Sequence, residues 1–172
     1  MLNENKFVSA NNTIGEEGHP ILWDVTSGDQ LRTFNITYGN NRVIAMCKQH
    51  NKNAFLIASQ NGRSDPCIDL FSADHPDPIK TQTIEGKGVE RLTSVGGNRF
   101  VVSFWKTADL WDISSGQRLK TFEGHSLRIQ DIVYLPDQRS IATASSDNTV
   151  KVWPIPNNLL DNNDIENQQT GG

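Results

Sequence analysis

A twelve-residue segment occurs twice in this chain: WDVTSGDQLRTF, from Trp23 to Phe34, returns as WDISSGQRLKTF, from Trp111 to Phe122. Seven of its positions are identical, and the copies lie 88 residues apart. A segment copied at this length marks a repeated supersecondary unit, one that cannot bury its apolar face without a neighbouring unit. The rest of the 172 residues has few apolar residues at helical spacing. Short alternating runs bounded by Gly, Asn, Asp and Pro occur throughout, which predicts an all-β fold.

A spacing of 88 residues is two periods of about 44, so a further copy belongs between the two. It is present in altered form. Ile68-Asp69-Leu70-Phe71 places Phe71 where the tryptophan stands, and Ile79 to Ile84 follows as a closing strand. A fourth copy ends in Val150-Lys151-Val152-Trp153. The aromatic markers at 23, 71, 111 and 153 are separated by 48, 40 and 42 residues. The predicted units span about 7–34, 42–84, 89–122 and 125–155. The middle two carry four strands each. The first starts at a second strand, Phe7 to Ala10, and the last stops after a third, Thr149 to Ile155. Residues 156–172 read as a polar, disordered tail.

Gly124-His125, followed after 27 residues by Trp153, together with Trp23-Asp24 and Trp111-Asp112, resembles the WD-repeat family of β-propellers. The resemblance covers about Phe7 to Ile155 and is strongest in the last unit. It implies four-stranded blades set around a channel, here about three and a half to four of them. It also implies a structural tetrad in the last blade. His125 precedes the blade, Thr143 lies on its second strand, Asp147 sits in the following turn, and Trp153 is on the third strand. A Thr, a His and an Asp also compose a catalytic triad, but within this resemblance they read as a buried polar network that holds a blade together. The other units depart from the pattern. The third lacks the turn aspartate, the second offers only Asp65, and Gly18-His19 falls at the wrong end of the first. Packing is therefore expected to hold those three blades.

No catalytic residue, metal site or cofactor is expected. Glu85-Gly86-Lys87-Gly88 lacks the spacing and the Ser/Thr of a phosphate loop. His19, His50, His75 and His125 are scattered, and Asp74, His75 and Asp77 read as parts of a solvated connection. The formal charge is −4, and Asp161, Asp164 and Glu166 supply three of the negatives. No basic stripe for nucleic acid is evident, and no apolar run reaches the roughly 20 residues of a spanning helix. MLNENKFVSA lacks the pattern of a secretory signal. Cys47 and Cys67 fall on strands separated by a third strand, too far apart for a disulfide. Free thiols point to a reducing compartment, and the cytoplasm is the expected location.

Blades bury their flat faces against one another, so an arc of this kind leaves two faces open. Three outcomes follow, in this order: a fragment of a longer propeller, pairing with another half-propeller (its own copy included), and closure as a small four-bladed ring. The expected function is a non-enzymatic scaffold or adaptor for a protein or peptide partner. Two alternatives stand beside it, a propeller hydrolase with a channel-centred site and a structural half-propeller completed by self-association. The expected contact residues are Trp105, beside the shortened turn of the third blade, with Arg128, Ser126 and Ser146. Trp105 has two readings, an exposed anchor for a partner or a side chain folded inward over the shortened turn.

Overall fold

The computed structural model of the chain describes residues 5–10, 19–36, 42–48, 53–60, 65–85 and 88–160, with the side chains of 42–44 and 48 excepted. Between Asn11 and Pro20, where Gly18 falls, only the last two positions are among the described residues. The described residues contain fourteen β-strands and no α-helix. They fall into two compact units, one up to Val89 and one from Glu90 onward.

The first unit holds two antiparallel sheets. Strands β1 (Lys6–Ser9), β2 (Ile21–Asp24) and β3 (Gln30–Thr33) form one, in sequence order. Strands β4 (Arg42–Lys48), β5 (Ala54–Gln60), β6 (Cys67–Ser72) and β7 (Lys80–Thr83) form the other. Leu22, Phe34 and Ile36 pack against Phe55, Ile57, Phe71 and Ala73. The Phe34 ring meets Phe55 edge-on, centroids 4.9 Å apart, and Phe55 stacks on Phe71 at 5.4 Å. β5 and β6 read as near-continuous apolar runs because both of their faces are covered.

The second unit repeats the plan. Strands β8 (Arg91–Gly96), β9 (Arg99–Ser103), β10 (Thr107–Asp112) and β11 (Gln117–Glu123) form a four-stranded sheet. Strands β12 (Ile129–Leu135), β13 (Ser140–Ser145) and β14 (Val150–Pro154) form a three-stranded one. Val95, Val101, Ala108, Leu110 and Phe122 of the former bury against Ile129, Ile132, Ile141 and Ile155 of the latter. The first strands of the two sheets, β8 and β12, run near each other.

Register shows that the four sheets are copies of one object. In each, the aromatic marker of the third strand lies directly across from a large apolar residue on the second: Trp23 from Phe7, Phe71 from Phe55, Trp111 from Phe100 and Trp153 from Ile141. Such opposed pairs are the unit of sheet stabilisation. The two copies of the twelve-residue segment share a β-bulge at the same place, Leu22/Trp23 and Leu110/Trp111.

The repeated Asp-x-x-Ser-Gly is a hairpin closure in both copies. Asp24 Oδ1 accepts the backbone N–H groups of Thr26 (2.7 Å) and Ser27 (3.1 Å), and Asp112 Oδ1 accepts those of Ser114 (2.8 Å) and Ser115 (3.1 Å). Gly28 and Gly116 then take φ values of +77° and +72°, which glycine tolerates without the Cβ clash of other residues.

Strand β9 stops at Ser103, because the Phe104 N–H turns back to the Thr107 carbonyl (2.8 Å) in a four-residue turn. One expectation needs correction. The expected polar tail does not begin at 156. Asn157–Leu159 forms a 3₁₀ turn, and Leu160, 6 % exposed, packs into the core of the last two sheets. Two consecutive leucines among asparagines carry enough apolar surface to hold the chain on the blade. They add no closing strand. Residues 161–172 lie outside the described residues. Truncating Leu160 to Ala is expected to lower the unfolding free energy by about 2–3 kcal/mol, read by urea denaturation. An unchanged midpoint would remove Leu160 from the core.

Candidate functional site

The structure brings His125, Thr143, Asp147 and Trp153 together at the last blade. β13 and β14 are antiparallel neighbours, so Thr143 lies diagonally across from Trp153, and the indole Nε1–H donates to Thr143 Oγ1 at 2.9 Å. His125 Nε2 is 2.8 Å from the same hydroxyl, and His125 Nδ1 is 2.8 Å from Asp147 Oδ2. With Asp147 ionised, Nδ1–H is the donor to it. A neutral imidazole then accepts the Thr143 hydroxyl proton at Nε2, and the bonds run in one direction from indole to carboxylate.

Asp147 is held well below the usual carboxylate range. The Thr149 hydroxyl (2.5 Å) is the main cause, and His125 and the Ser126 N–H (3.0 Å) add to it against the cost of burial. Asn148 takes φ +64° in the turn beside it, a left-handed position that asparagine adopts more readily than most residues. Gly124 is fixed by the same assembly. Its φ is +147°, and a Cβ there would lie 3.1 Å from the Trp153 ring.

Both ring nitrogens of His125 are occupied, and Thr143 is 1 % exposed. No face of that hydroxyl is open to a substrate, so the arrangement is a buried clamp and not a triad.

The other blades show graded loss of this clamp, legible through register. The positions equivalent to Thr143 are Ser9, Ile57 and Val102. In the first blade Trp23 Nε1–H donates to Ser9 Oγ at 2.7 Å, so half the clamp survives in a blade expected to be held mainly by packing. A hydroxyl two residues beyond Phe7 was the sequence signal for it. In the second blade Phe71 faces Ile57, and both polar partners are gone together. The third keeps the tryptophan but has Val102, and the buried Trp111 Nε1 has no hydrogen-bond partner among the described residues.

The clamp reaches the surface through the 125–128 segment. Asp147 fixes the Ser126 N–H, and the Arg128 carbonyl accepts the Ser146 N–H at 2.9 Å. The Arg128 guanidinium pairs with Glu90 and sits 6.0 Å from the centroid of Trp105. Glu90 is thus an ion-pair partner. Trp105 is 56 % exposed at the tip of the shortened turn, and its carbonyl accepts the Ile129 N–H at 2.7 Å. Of its two readings, the structure has the outward one. Ser146 Oγ accepts from Gln130 Nε2, and Ser126 is exposed. Trp105 and Arg128 therefore form a contiguous surface, with Ser126 and Ser146 on its edge and Leu127 exposed beside them.

The acids of the 72–78 connection serve that loop. Asn53 and Ser72 hold Asp74, and Asn35 donates to Asp77 at 2.7 Å. Among the described residues, no three His, Cys, Asp or Glu side chains gather as a metal-binding group. Cys47 and Cys67, on β4 and β6 with β5 between them, form no disulfide. Among the described residues, no helix is long and apolar enough to cross a membrane.

Comparison with known proteins agrees with this geometry. The family model "WD domain, G-beta repeat" matches residues 116–154, from the start of β11 to the end of β14. The guanine nucleotide-binding protein subunit beta of Saccharomyces cerevisiae is 24 % identical over 175 residues, covering 81 % of this chain and 41 % of that protein. Pre-mRNA-processing factor 19 of Homo sapiens is 36 % identical over 52 residues, 30 % of this chain and 10 % of that protein. Protein FIZZY-RELATED 1 of Arabidopsis thaliana is 27 % identical over 111 residues, 58 % of this chain and 22 % of that protein. The chain thus carries a segment, residues 116–154, that matches a WD repeat. It spans less than half the length of each of these relatives.

Two experiments test the clamp. The folded-state pKa of Asp147 lies below the ordinary aspartate value of 3.8, so its contribution is complete above about pH 4 and is lost as pH falls through the lowered value. Asp147→Asn is expected to lower Tm at pH 7, with the variant and wild-type curves converging below pH 4. Curves that stay parallel down to pH 2 would remove the carboxylate from the clamp. In the third blade, Val102→Thr places an acceptor beside the idle Trp111 N–H. It is expected to cost less than Val101→Thr by about 1–3 kcal/mol, since the latter buries a hydroxyl in an apolar core. Equal losses in chemical denaturation would contradict the register argument.

Proposed function

We propose that the chain acts as a non-enzymatic protein-interaction scaffold and that the surface around Trp105 and Arg128 is its contact site for a protein or peptide partner. The single observation that carries this reading is an exposed indole held in place by the fold. Trp105 caps a four-residue turn, Arg128 packs on its ring, and Glu90 fixes Arg128 from the other side. A cation on an aromatic face contributes about 0.5–1 kcal/mol at an exposed site. That holds the ring in place before binding and reduces the ordering cost of association. Tryptophan and arginine are also the side chains most enriched among residues that dominate binding energy.

The relatives support the class of function. One is by its name a subunit, a component that works beside other chains. The free thiols fit a reducing compartment, and we assign the chain to the cytoplasm in this reading. The hydrolase alternative gains no support from the last blade, where the one Thr-His-Asp set is closed to solvent.

Affinity capture with wild type, Trp105→Ala and Arg128→Ala tests the proposal. Both variants are expected to lose a partner that wild type retains, by tenfold or more in recovery, while their melting curves stay close to wild type. Equal recovery by all three would move the site away from this turn.

A further inference from the structure

A partner that covers the exposed ring of Trp105 also covers the groups lying against it, and those groups are charged. Arg128 sits 6.0 Å from the ring centroid. It donates to Glu90 through Nη2 and makes no other hydrogen bond among the described residues. A guanidinium has five N–H donors and keeps its charge at any pH a folded protein meets. The Arg128 side chain is 43 % exposed, which leaves its remaining donors to solvent. Lys106 follows Trp105 at the tip of the same turn and is exposed as well. Among the described residues it makes no hydrogen bond and no ion pair.

The acids nearby are largely committed. Glu90 is spent on Arg128. One oxygen of Asp147 serves His125 and the Ser126 N–H, and the other serves Thr149. Glu123, across the β10–β11 ladder from Thr107, is an exposed acid beside the turn and pairs with neither cation. Apolar surface, from Trp105 and Leu127, and two cations with donors to spare therefore share one site.

That combination selects among partners. A neutral apolar segment laid on Trp105 and Leu127 would strip solvent from the Arg128 edge and bring no acceptor. Charged donors left unmet cost more than a ring contact offsets. A basic segment would meet two like charges. A carboxylate satisfies the site, because its two oxygens match two parallel N–H groups of a guanidinium. Lys106 adds a second cation on a flexible stem.

We propose that the segment bound here is an acidic peptide. An Asp or Glu carboxylate seats between the open edge of Arg128 and Lys106, and an apolar side chain next to it lies on Trp105 and Leu127. This rests on the assignment of the Trp105 surface as the contact site and adds the chemistry of what binds there. Glu90 holds one edge of the guanidinium so that the other is presented in a fixed orientation, which lowers the ordering cost of capture. Lys106 becomes a specificity-determining residue.

Selection from a displayed library of random linear peptides tests the proposal, with the binders then measured by fluorescence anisotropy. Wild type is expected to enrich peptides in which Asp or Glu adjoins Leu, Phe or Trp, with affinity that falls as salt rises. Lys106→Glu is expected to weaken those peptides by about tenfold. Glu123→Gln is expected to tighten them, an effect of opposite sign from another exposed position. Circular dichroism should report an unchanged fold for both, and Lys106→Met takes the place of Lys106→Glu if that variant does not fold. Neutral or basic binders that are lost with Trp105→Ala would overturn the acidic partner while the contact site stands. Acidic binders that hold Trp105→Ala as tightly as wild type would remove the contact site, and this proposal with it. Enrichment of no peptide, or acidic binders indifferent to the charge at Lys106, would equally overturn it.

Discussion

Everything in this chain follows from the inability of a small twisted sheet to stand alone. Three or four short strands satisfy their own backbone groups but leave two apolar faces in water. Burial at about 25 cal/mol per Å² is available only when another sheet lies against them. Each unit described here is one such settlement, made by the same strand positions. Phe55, Ile57 and Phe71 enter from one side in the first unit, and Ile141, Thr143 and Trp153 do so in the second. The polar clamp is a refinement of that contact. It lets a large aromatic ring with an N–H occupy the packing face without leaving the N–H unpaired.

That refinement is also what links architecture to surface chemistry. Asp147 closes the turn after β13, holds His125 and captures the Ser126 N–H. The segment from Ser126 to Arg128 is thereby fixed at one end by the clamp and at the other by the start of β12. Arg128 emerges from a rigid base, and Trp105 lies under its guanidinium. A scaffold presents side chains most usefully where backbone, charge and ring are all held before a partner arrives.

Much of this was legible in the sequence because the repeat carries its own ruler. The markers at 23, 71, 111 and 153 locate the third strands. What escaped depended on pairing across strands. Ser9 is an ordinary serine until register sets it diagonally across from Trp23. Glu90 looks isolated until the chain between it and Arg128 folds back. Leu160 sits in a polar stretch whose composition says tail, yet two adjacent leucines outweigh their neighbours. Trp105 continues the alternation of β9, and only the length of its turn sends it outward.

The idle indole of Trp111 bears on how such blades change. One blade has the full set of polar partners, and another has Phe71 and Ile57 and needs none. Between those two states lies a pair of substitutions, and each is unfavourable without the other, since whichever partner is replaced first strands its mate in a dry interior. The third blade occupies one of the two possible half-way points, with the ring retained and the hydroxyl gone. Its neighbours in sequence space are therefore unequal to those of a finished blade. Two different single changes, one restoring the acceptor and one removing the donor, would each relieve its stranded N–H.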